Sequence, residues 1–522
     1  MKHFCGLLIV SLSFLLTGEA KAQAPAAGKV VDRIACAADN NQTYALYLPS
    51  AYTPDKRWPI LYAFDPGARG LVPVERFKEA AEKYGYILAG SNNSRNGPWT
   101  PTLAAIRALW DDTHARFSID EARVYAAGFS GGARVASQLG FMLKGGVAGV
   151  IACGAGFPTE ISPSASTPFV LFGIAGFEDF NYPELKRLER ALSAAGIANR
   201  FAAFEGGHAW PPSDLCASAV EWMELQAIKS GKHYRNEALV ESLLKKNTDS
   251  ATADEAAGRL YEAYVTYHNI ARDFKGLRDV APFEKKSESL RASKAVKQGL
   301  KQESEQESEQ RTRVRELFRL RGSLRDRRVA AALAEGEPMQ QTPTAQMTPM
   351  SGMSDSQSMS PSMSPTVSPT MSPTMDRPVT GEEGDTRHIA MADLKRALAD
   401  LKKKSDAKES GLQRAISRRV LNEFLISSYE LSSALLRSKK YELAAAELAI
   451  DSELMPDNWR VSYNLACAYS LAGDKRKSIE ALKKAVRAGF NNAAELDGNK
   501  DLDPLREERG FREIVDQLKK GS

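Results

Sequence analysis

A short apolar run at residues 124–127 enters Gly128-Phe129-Ser130-Gly131-Gly132, and small and apolar residues at helical spacing follow. This junction constrains the chain more than any other segment. A strand that turns at once into a helix crowds the backbone around the turn, so the residues two positions either side of Ser130 must be small. Gly128 and Gly132 meet that demand. A strand followed by a helix is also the repeating unit of a parallel sheet covered by helices.

The flanking sequence repeats the unit. Residues 45–48, 60–64, 87–89, 147–151 and 169–172 are short apolar runs that end at turn residues. Helical stretches such as 74–84 and 103–117 lie between them. Residues 28–230 are therefore expected to form an α/β domain with a mostly parallel sheet flanked by helices. An earlier pair of runs around Ile34 and Tyr44 predicts an antiparallel edge, with a turn at Asp39-Asn40-Asn41.

A serine in such a turn needs a base and an acid, in the chain order Ser, acid, His. The chain has six histidines. His3 lies in the leader and His114 precedes the serine. His208 follows it in the glycine-rich Phe204-Glu205-Gly206-Gly207-His208-Ala209-Trp210, and His233 stands at the domain edge. His208 is the candidate base. Asp179, in Gly176-Phe177-Glu178-Asp179, is the candidate acid, with Glu178 as rival and Asp214 further off. The two intervals leave room for a strand and a helix each. A buried carboxylate in this role holds the imidazole tautomer and stabilises the imidazolium.

A tetrahedral oxyanion needs two backbone N–H donors. Gly131, directly after the serine, is one candidate. Gly67 or Ala68, in Asp65-Pro66-Gly67-Ala68-Arg69-Gly70, is the other. Asn93, Trp99 and Trp210 are candidates for contacting substrate, because their loops follow strands on the same side. Hydrolysis by such a set needs no cofactor, and no cysteine has metal-ligand spacing.

The ends of the chain carry other signals. Lys2, an apolar stretch at 4–16 and Ala20-Lys21-Ala22 read as an export signal over residues 1–22, cleaved before Gln23. Retention as an uncleaved anchor is the alternative. The expected location is the periplasm or the exterior, without a later membrane span. There Cys36, Cys153, Cys216 and Cys467 have access to disulfide chemistry, in three possible full pairings. Cys467 is expected to stay reduced. A net charge of +5 over 522 residues gives no argument for nucleic acid.

Residues 232–335 lose all strand signal and read as helices. Within them 302–328 is almost wholly polar, which predicts a long solvated helix or a basic face for a partner. Residues 336–386 are rich in Ser, Pro and Met, with Ser-Pro recurring every four residues, and read as a disordered spacer. In 390–522, Tyr463 follows Tyr429 by 34 residues, with small residues, Gly473-Asp474 and Pro456 at helix ends. Flanking helices are expected at 393–425 and 511–518.

The elbow at Gly128–Gly132, the Asp179 turn and Gly206-Gly207-His208-Ala209-Trp210-Pro211 resemble the secreted esterase and polyhydroxybutyrate-depolymerase branch of the α/β hydrolases, which includes feruloyl and acetylxylan esterases. The resemblance implies a serine esterase acting on a small or polymeric ester over residues 30–230. The 34-residue period is similar to that of tetratricopeptide repeats, which implies a protein or peptide partner. Two alternatives remain at this point: a serine peptidase of the same fold, and a catalytically idle scaffold whose repeats bind partners.

Overall fold

The computed structural model describes residues 26–325, 383–407 and 411–520. The export signal and most of the spacer lie outside these residues.

Eight strands form one sheet: β1 (Val30–Cys36), β2 (Asp39–Tyr47), β3 (Trp58–Phe64), β4 (Ile87–Ser91), β5 (Ile119–Phe129), β6 (Gly149–Cys153), β7 (Val170–Gly176) and β8 (Asn199–Phe204). Their order is β1-β2-β4-β3-β5-β6-β7-β8. β1 pairs with β2 and β2 with β4 antiparallel, while β3 pairs with β4 and β5, and β7 with β8, in parallel. Every residue of β3 is buried, as expected for a strand covered on both faces. β1 is half exposed and forms the edge. The helices of this region are α1 (Leu71–Tyr84), α2 (Trp99–Arg116), α3 (Gly131–Met142), α4 (Tyr182–Ala194) and α5 (Ser213–Lys229).

The predicted edge hairpin is present, with Ile34 opposite Tyr44. Its turn is Ala37-Ala38, not Asp39-Asn40-Asn41. Asp112 on α2 accepts the Ala37 N–H at 2.8 Å, which closes the chain two residues earlier. Asp39 and Asn40 then extend β2.

The chain divides into two compact units, one of Met1–Ile151 with Pro212–Ala227 and one of Ala152–Pro211 with Ile228–Ser522. In the first, Glu224 of α5, 2% exposed, accepts a hydrogen bond from Tyr86 and lies 3.7 Å from Arg123 on β5. A buried carboxylate is held there by a hydroxyl and a cation, as burial requires.

The second unit holds β7, β8, α4 and the remaining helices: α6 (Glu237–Ala256), α7 (Leu260–Asp273), α8 (Ala281–Ala292), α9 (Lys294–Gly322), α10 (Glu383–Ser405), α11 (Leu412–Arg437), α12 (Tyr441–Leu454), α13 (Trp459–Leu471), α14 (Lys475–Arg487), α15 (Ala493–Gly498) and α16 (Arg509–Lys520). α10 begins inside the last residues assigned to the spacer. The single helix expected at 393–425 is two helices. Gly411, in extended backbone, starts the second, and Arg418 of α11 donates to the Ser405 carbonyl at the end of the first.

The described part of the polar stretch is helical from residue 302 to Gly322, as the latter part of α9, but one side of it is buried rather than solvated. Gln306, Gln310, Leu317 and Arg321 of α9 are buried. Glu303 meets Lys186 at 2.9 Å, and Glu307 meets Arg187 and Arg190 of α4. Arg321, fully buried, pairs with Glu447 and Asp451 of α12. Polar residues here pack against polar residues, which hydropathy alone does not distinguish from solvation.

Beyond α10 the helices form hairpins. Lys439 (φ 56°) and Gly473 (φ 83°) are left-handed residues closing α11 and α13, the first helices of two successive hairpins, 34 positions apart. The capping bonds recur at the same interval, Lys440 N–H to Leu435 O and Asp474 N–H to Tyr469 O. This is a helix-ending motif that favours glycine but tolerates the strain of a side chain. The side chains keep the period less well: Tyr463 is 6% exposed and Tyr429 60%.

Candidate active site

β5 ends at Phe129 and α3 begins at Gly131, so Ser130 alone makes the turn. Its backbone sits at φ 54°, ψ −123°, a region that costs a non-glycine residue about 1–3 kcal/mol. The glycines explain how the turn closes. A Cβ on Gly128 would stand 2.0 Å from the Gly132 carbonyl oxygen, and one on Gly132 would stand 2.0 Å from that of Phe64 at the end of β3. Backbone touches backbone on both sides of the serine.

Gly131 opens α3, where the first N–H groups have no partner within the helix and the dipole favours negative charge. Its placement suits an oxyanion donor. Asn96, which the sequence did not single out, lies against it: a Cβ on Gly131 would meet Asn96 Oδ1 at 1.8 Å. Asn96 is fixed there by its own N–H to Pro66 O, 2.9 Å, and by the bridge between Gly67 and Arg95.

The second pair of candidate donors is otherwise engaged. Asp65, fully buried, accepts the Gly67 N–H on Oδ1 at 2.8 Å. Its main-chain oxygen accepts the Ala68 N–H at 3.0 Å. Arg69 grips the same carboxylate at 2.8 and 2.9 Å. A short acidic side chain folding its own turn consumes both amides, so Gly67 and Ala68 are corrected from oxyanion donors to turn residues.

Asn93 is also a structural residue. Its Oδ1 accepts the Thr43 N–H at 2.8 Å and its Nδ2 donates to Asn41 O at 2.9 Å. Both ends of the amide therefore fasten β2. Trp99 is half-buried in the first turn of α2, and Trp210 is 7% exposed, which leaves Trp210 little face for a ligand.

In the other unit, the loops after β7 and β8 are laid side by side. Phe177 N–H donates to Phe204 O and Glu178 N–H to Gly206 O, at 2.7 and 2.8 Å. The approach is close: a Cβ on Gly176 would meet the Gly207 and Gly206 oxygens at 2.3 and 2.4 Å. This crossing brings Asp179 to His208. Both carboxylate oxygens lie 2.9 Å from His208 Nδ1. Asp179 is fully buried, and Asn181 N–H donates to its Oδ1 at 2.9 Å. The Phe180 ring packs against the imidazole, 4.5 Å between centroids. A carboxylate on Nδ1 places the ring proton there and leaves Nε2 as the basic nitrogen.

Glu178 is engaged elsewhere. Its carboxylate accepts from Arg414 Nε at 3.1 Å and Arg418 Nη1 at 2.6 Å, both on α11. Asp214 accepts the N–H of its own neighbour, Leu215. Of the three carboxylates, Asp179 is the one that lies against His208. His233 meets Tyr234 edge-on and His114 stacks on Trp110.

No family model matches the chain. Over 85 residues it is 29% identical to a chloroplastic protein of Arabidopsis thaliana, a match covering 16% of this chain and only 25% of that protein. Among solved structures it is similar to a ferulic acid esterase (18% identity, TM-score 0.31), covering 37% of this chain and 94% of that one. Est1E from Butyrivibrio proteoclasticus (12% identity, TM-score 0.30) covers 36% and 95%. The S-formylglutathione hydrolase FrmB of Staphylococcus aureus (16% identity, TM-score 0.29) covers 35% and 90%. The sheet order, the two antiparallel strands at its edge and the strand-serine-helix turn after β5 give the N-terminal region the α/β-hydrolase fold.

Proposed function

We propose that the protein is a serine hydrolase acting on carboxylic esters through an acyl-enzyme on Ser130. The observation that carries this reading is the backbone of Ser130, held in a strained conformation between two glycines that admit no side chain. Strain of this kind gathers at functional residues. The Asp179–His208 pair supplies the matching chemistry.

In the proposed cycle, His208 Nε2 removes the Ser130 hydroxyl proton as Oγ bonds to the acyl carbon. The tetrahedral oxyanion is received by the Gly131 N–H. The carbon–oxygen bond to the alcohol then breaks, and the alcohol leaves with the proton from His208. Water attacks the acyl carbon, giving its proton to His208. The Oγ–carbon bond breaks, that proton returns to Ser130, and the acid departs. Asp179 keeps Nδ1 protonated and balances the imidazolium at each stage.

The test is labelling with a fluorophosphonate and turnover of short- and long-chain nitrophenyl esters by the full chain. Ser130→Ala and His208→Ala are the controls. Labelling at Ser130 with ester turnover is the expected result. No labelling and no turnover would overturn it, and cleavage of peptides without esters would replace it by a peptidase.

The same reading gives α11 to α14 a peptide- or protein-binding role as tetratricopeptide repeats, supported by the left-handed turns 34 residues apart. It also puts the mature enzyme outside the cytoplasm, which fractionation of the producing cell would check.

A further inference from the structure

The loop that carries the acid is held from far along the chain. Arg419 of α11 is fully buried. Its Nε donates to the Phe177 carbonyl at 2.8 Å, its Nη2 donates to the same oxygen, and its Nη1 donates to Gln306 Oε1 at 2.8 Å. The guanidinium lies over the rings of Phe177 and Tyr182, 5.0 and 4.2 Å from their centroids. One residue further, Arg414 and Arg418 take the Glu178 carboxylate. Beyond Asp179, Gln310 of α9 donates to the Phe180 carbonyl at 2.9 Å and to Glu423 at 2.7 Å. Residues 177, 178 and 180 are therefore each fixed by α9 or α11, and Asp179 lies between them.

This arrangement costs something that simple helix packing would not. A buried arginine loses its hydration, and burial pushes the guanidinium down to about 10. Tyr182, Asp179 and Glu178 beside it oppose that loss. An apolar residue would join two helices more cheaply. A planar fork fixes one carbonyl in angle as well as distance, which suits a loop whose next side chain but one must aim at an imidazole.

We propose that Arg419 is a positioning residue for Asp179, and that through it, with Arg414, Arg418 and Gln310, turnover by the hydrolase depends on the C-terminal helices. The proposal rests on the serine-hydrolase reading above. Arg419 touches no reacting atom and acts only through the acid loop. The chain thus places its acid under the control of helices encoded more than 230 residues downstream, beyond the spacer.

The test uses the full chain and five variants: Arg419→Met, Arg419→Lys, the double variant Arg414→Ala with Arg418→Ala, Asp179→Asn, and Arg419→Met combined with Asp179→Asn. Each is assayed for ester turnover, normalised to folded protein by circular dichroism. Displacing a positioned group by about 1 Å costs on the order of a hundredfold in rate. Arg419→Met is therefore expected to lower kcat by about tenfold to a hundredfold, with KM within about twofold. Arg419→Lys, which keeps a donor to the Phe177 oxygen, should recover part of the loss. The deciding readout is Arg419→Met placed on Asp179→Asn. A residue that acts through the acid adds nothing once the acid is gone. A merely structural residue multiplies the defect.

Unchanged kcat in folded Arg419→Met, or a multiplied defect on the Asp179→Asn background, would overturn the proposal and leave the hydrolase reading intact. An inactive wild type would overturn both. If Arg419→Met does not fold, the Arg414–Arg418 double variant, altered at partly exposed side chains, is read by the same two criteria.

Discussion

Replacing Gly132 by alanine tests the proposed nucleophile through its scaffold rather than its oxygen. The new Cβ would stand 2.0 Å from Phe64 O and 2.6 Å from Phe64 C. Ordinary contact begins at 3.4 Å, so the deficit is 1.4 Å. Both offending atoms belong to the backbone of β3, and no side chain can swing aside. Either the end of β3 retreats or the first turn of α3 rotates. Each movement carries Ser130 by about 1 Å, worth roughly a hundredfold in reactivity. The overpacking itself should cost about 1–3 kcal/mol of stability. The assay is the second-order rate of fluorophosphonate labelling, read beside thermal unfolding. The rate should fall by about a hundredfold at temperatures where the variant remains folded. Gly498→Ala is the control, because a Cβ there meets nothing within 4 Å, and it should label as the wild type does. Labelling of folded Gly132→Ala within twofold of wild type would show that the elbow does not set the nucleophile.

Asn93→Ala should lower stability by about 1–3 kcal/mol through the unpaired Thr43 N–H and Asn41 carbonyl, with KM unchanged; a raised KM at full stability would restore Asn93 as a substrate contact. Arg321→Met takes the cation from buried Asp451 and leaves Glu447 with Arg325 alone, and should cost about 3–5 kcal/mol, seen as a lower urea midpoint. An unmoved midpoint would refute it. Burial, helped by the Asp112 charge, pushes the Cys36 thiol up to about 11, and burial pushes Cys467 up to about 12. Only the thiolate is nucleophilic, so alkylation of either in the native protein should be slow at about pH 7.5 and accelerate as pH approaches these values. Mass spectrometry of the native and urea-unfolded protein checks this, and equal rates in the two states would contradict it.

The parts of this molecule legible in the sequence are those that a few neighbouring residues decide. Gly128 and Gly132 are required by backbone contacts within the turn itself. The strands at 60–64 and 87–89 announce themselves because both faces are covered. Asp179 could be placed near the end of β7 because chain order limits where an acid can stand. The rest depended on partners remote in sequence. Nothing local tells that Asp112 ends the first hairpin at Ala37, or that Asn93 uses its amide on β2. Gly67 and Ala68 look open until Asp65 is seen to fold over them. Nothing local tells that Glu178 is taken up by two arginines about 240 residues away. The polar run of α9 reads as surface in any hydropathy pattern, since the carboxylates and guanidinia that bury it lie on α4, α11 and α12.

The grip of Arg419 on Phe177 also has a consequence for the order in which the protein comes into being. A chain that emerges from its N-terminus first presents Ser130, Asp179 and His208 long before Arg419. The separation of 242 residues between Phe177 and Arg419 corresponds to about 12–48 s of synthesis at roughly 5–20 residues per second. Through that interval the nascent hydrolase has its reactive residues without the clamp on its acid loop. On the proposed reading, completion of the last helices matures the enzyme, and a chain broken off in the spacer lacks the contact on residue 177 altogether.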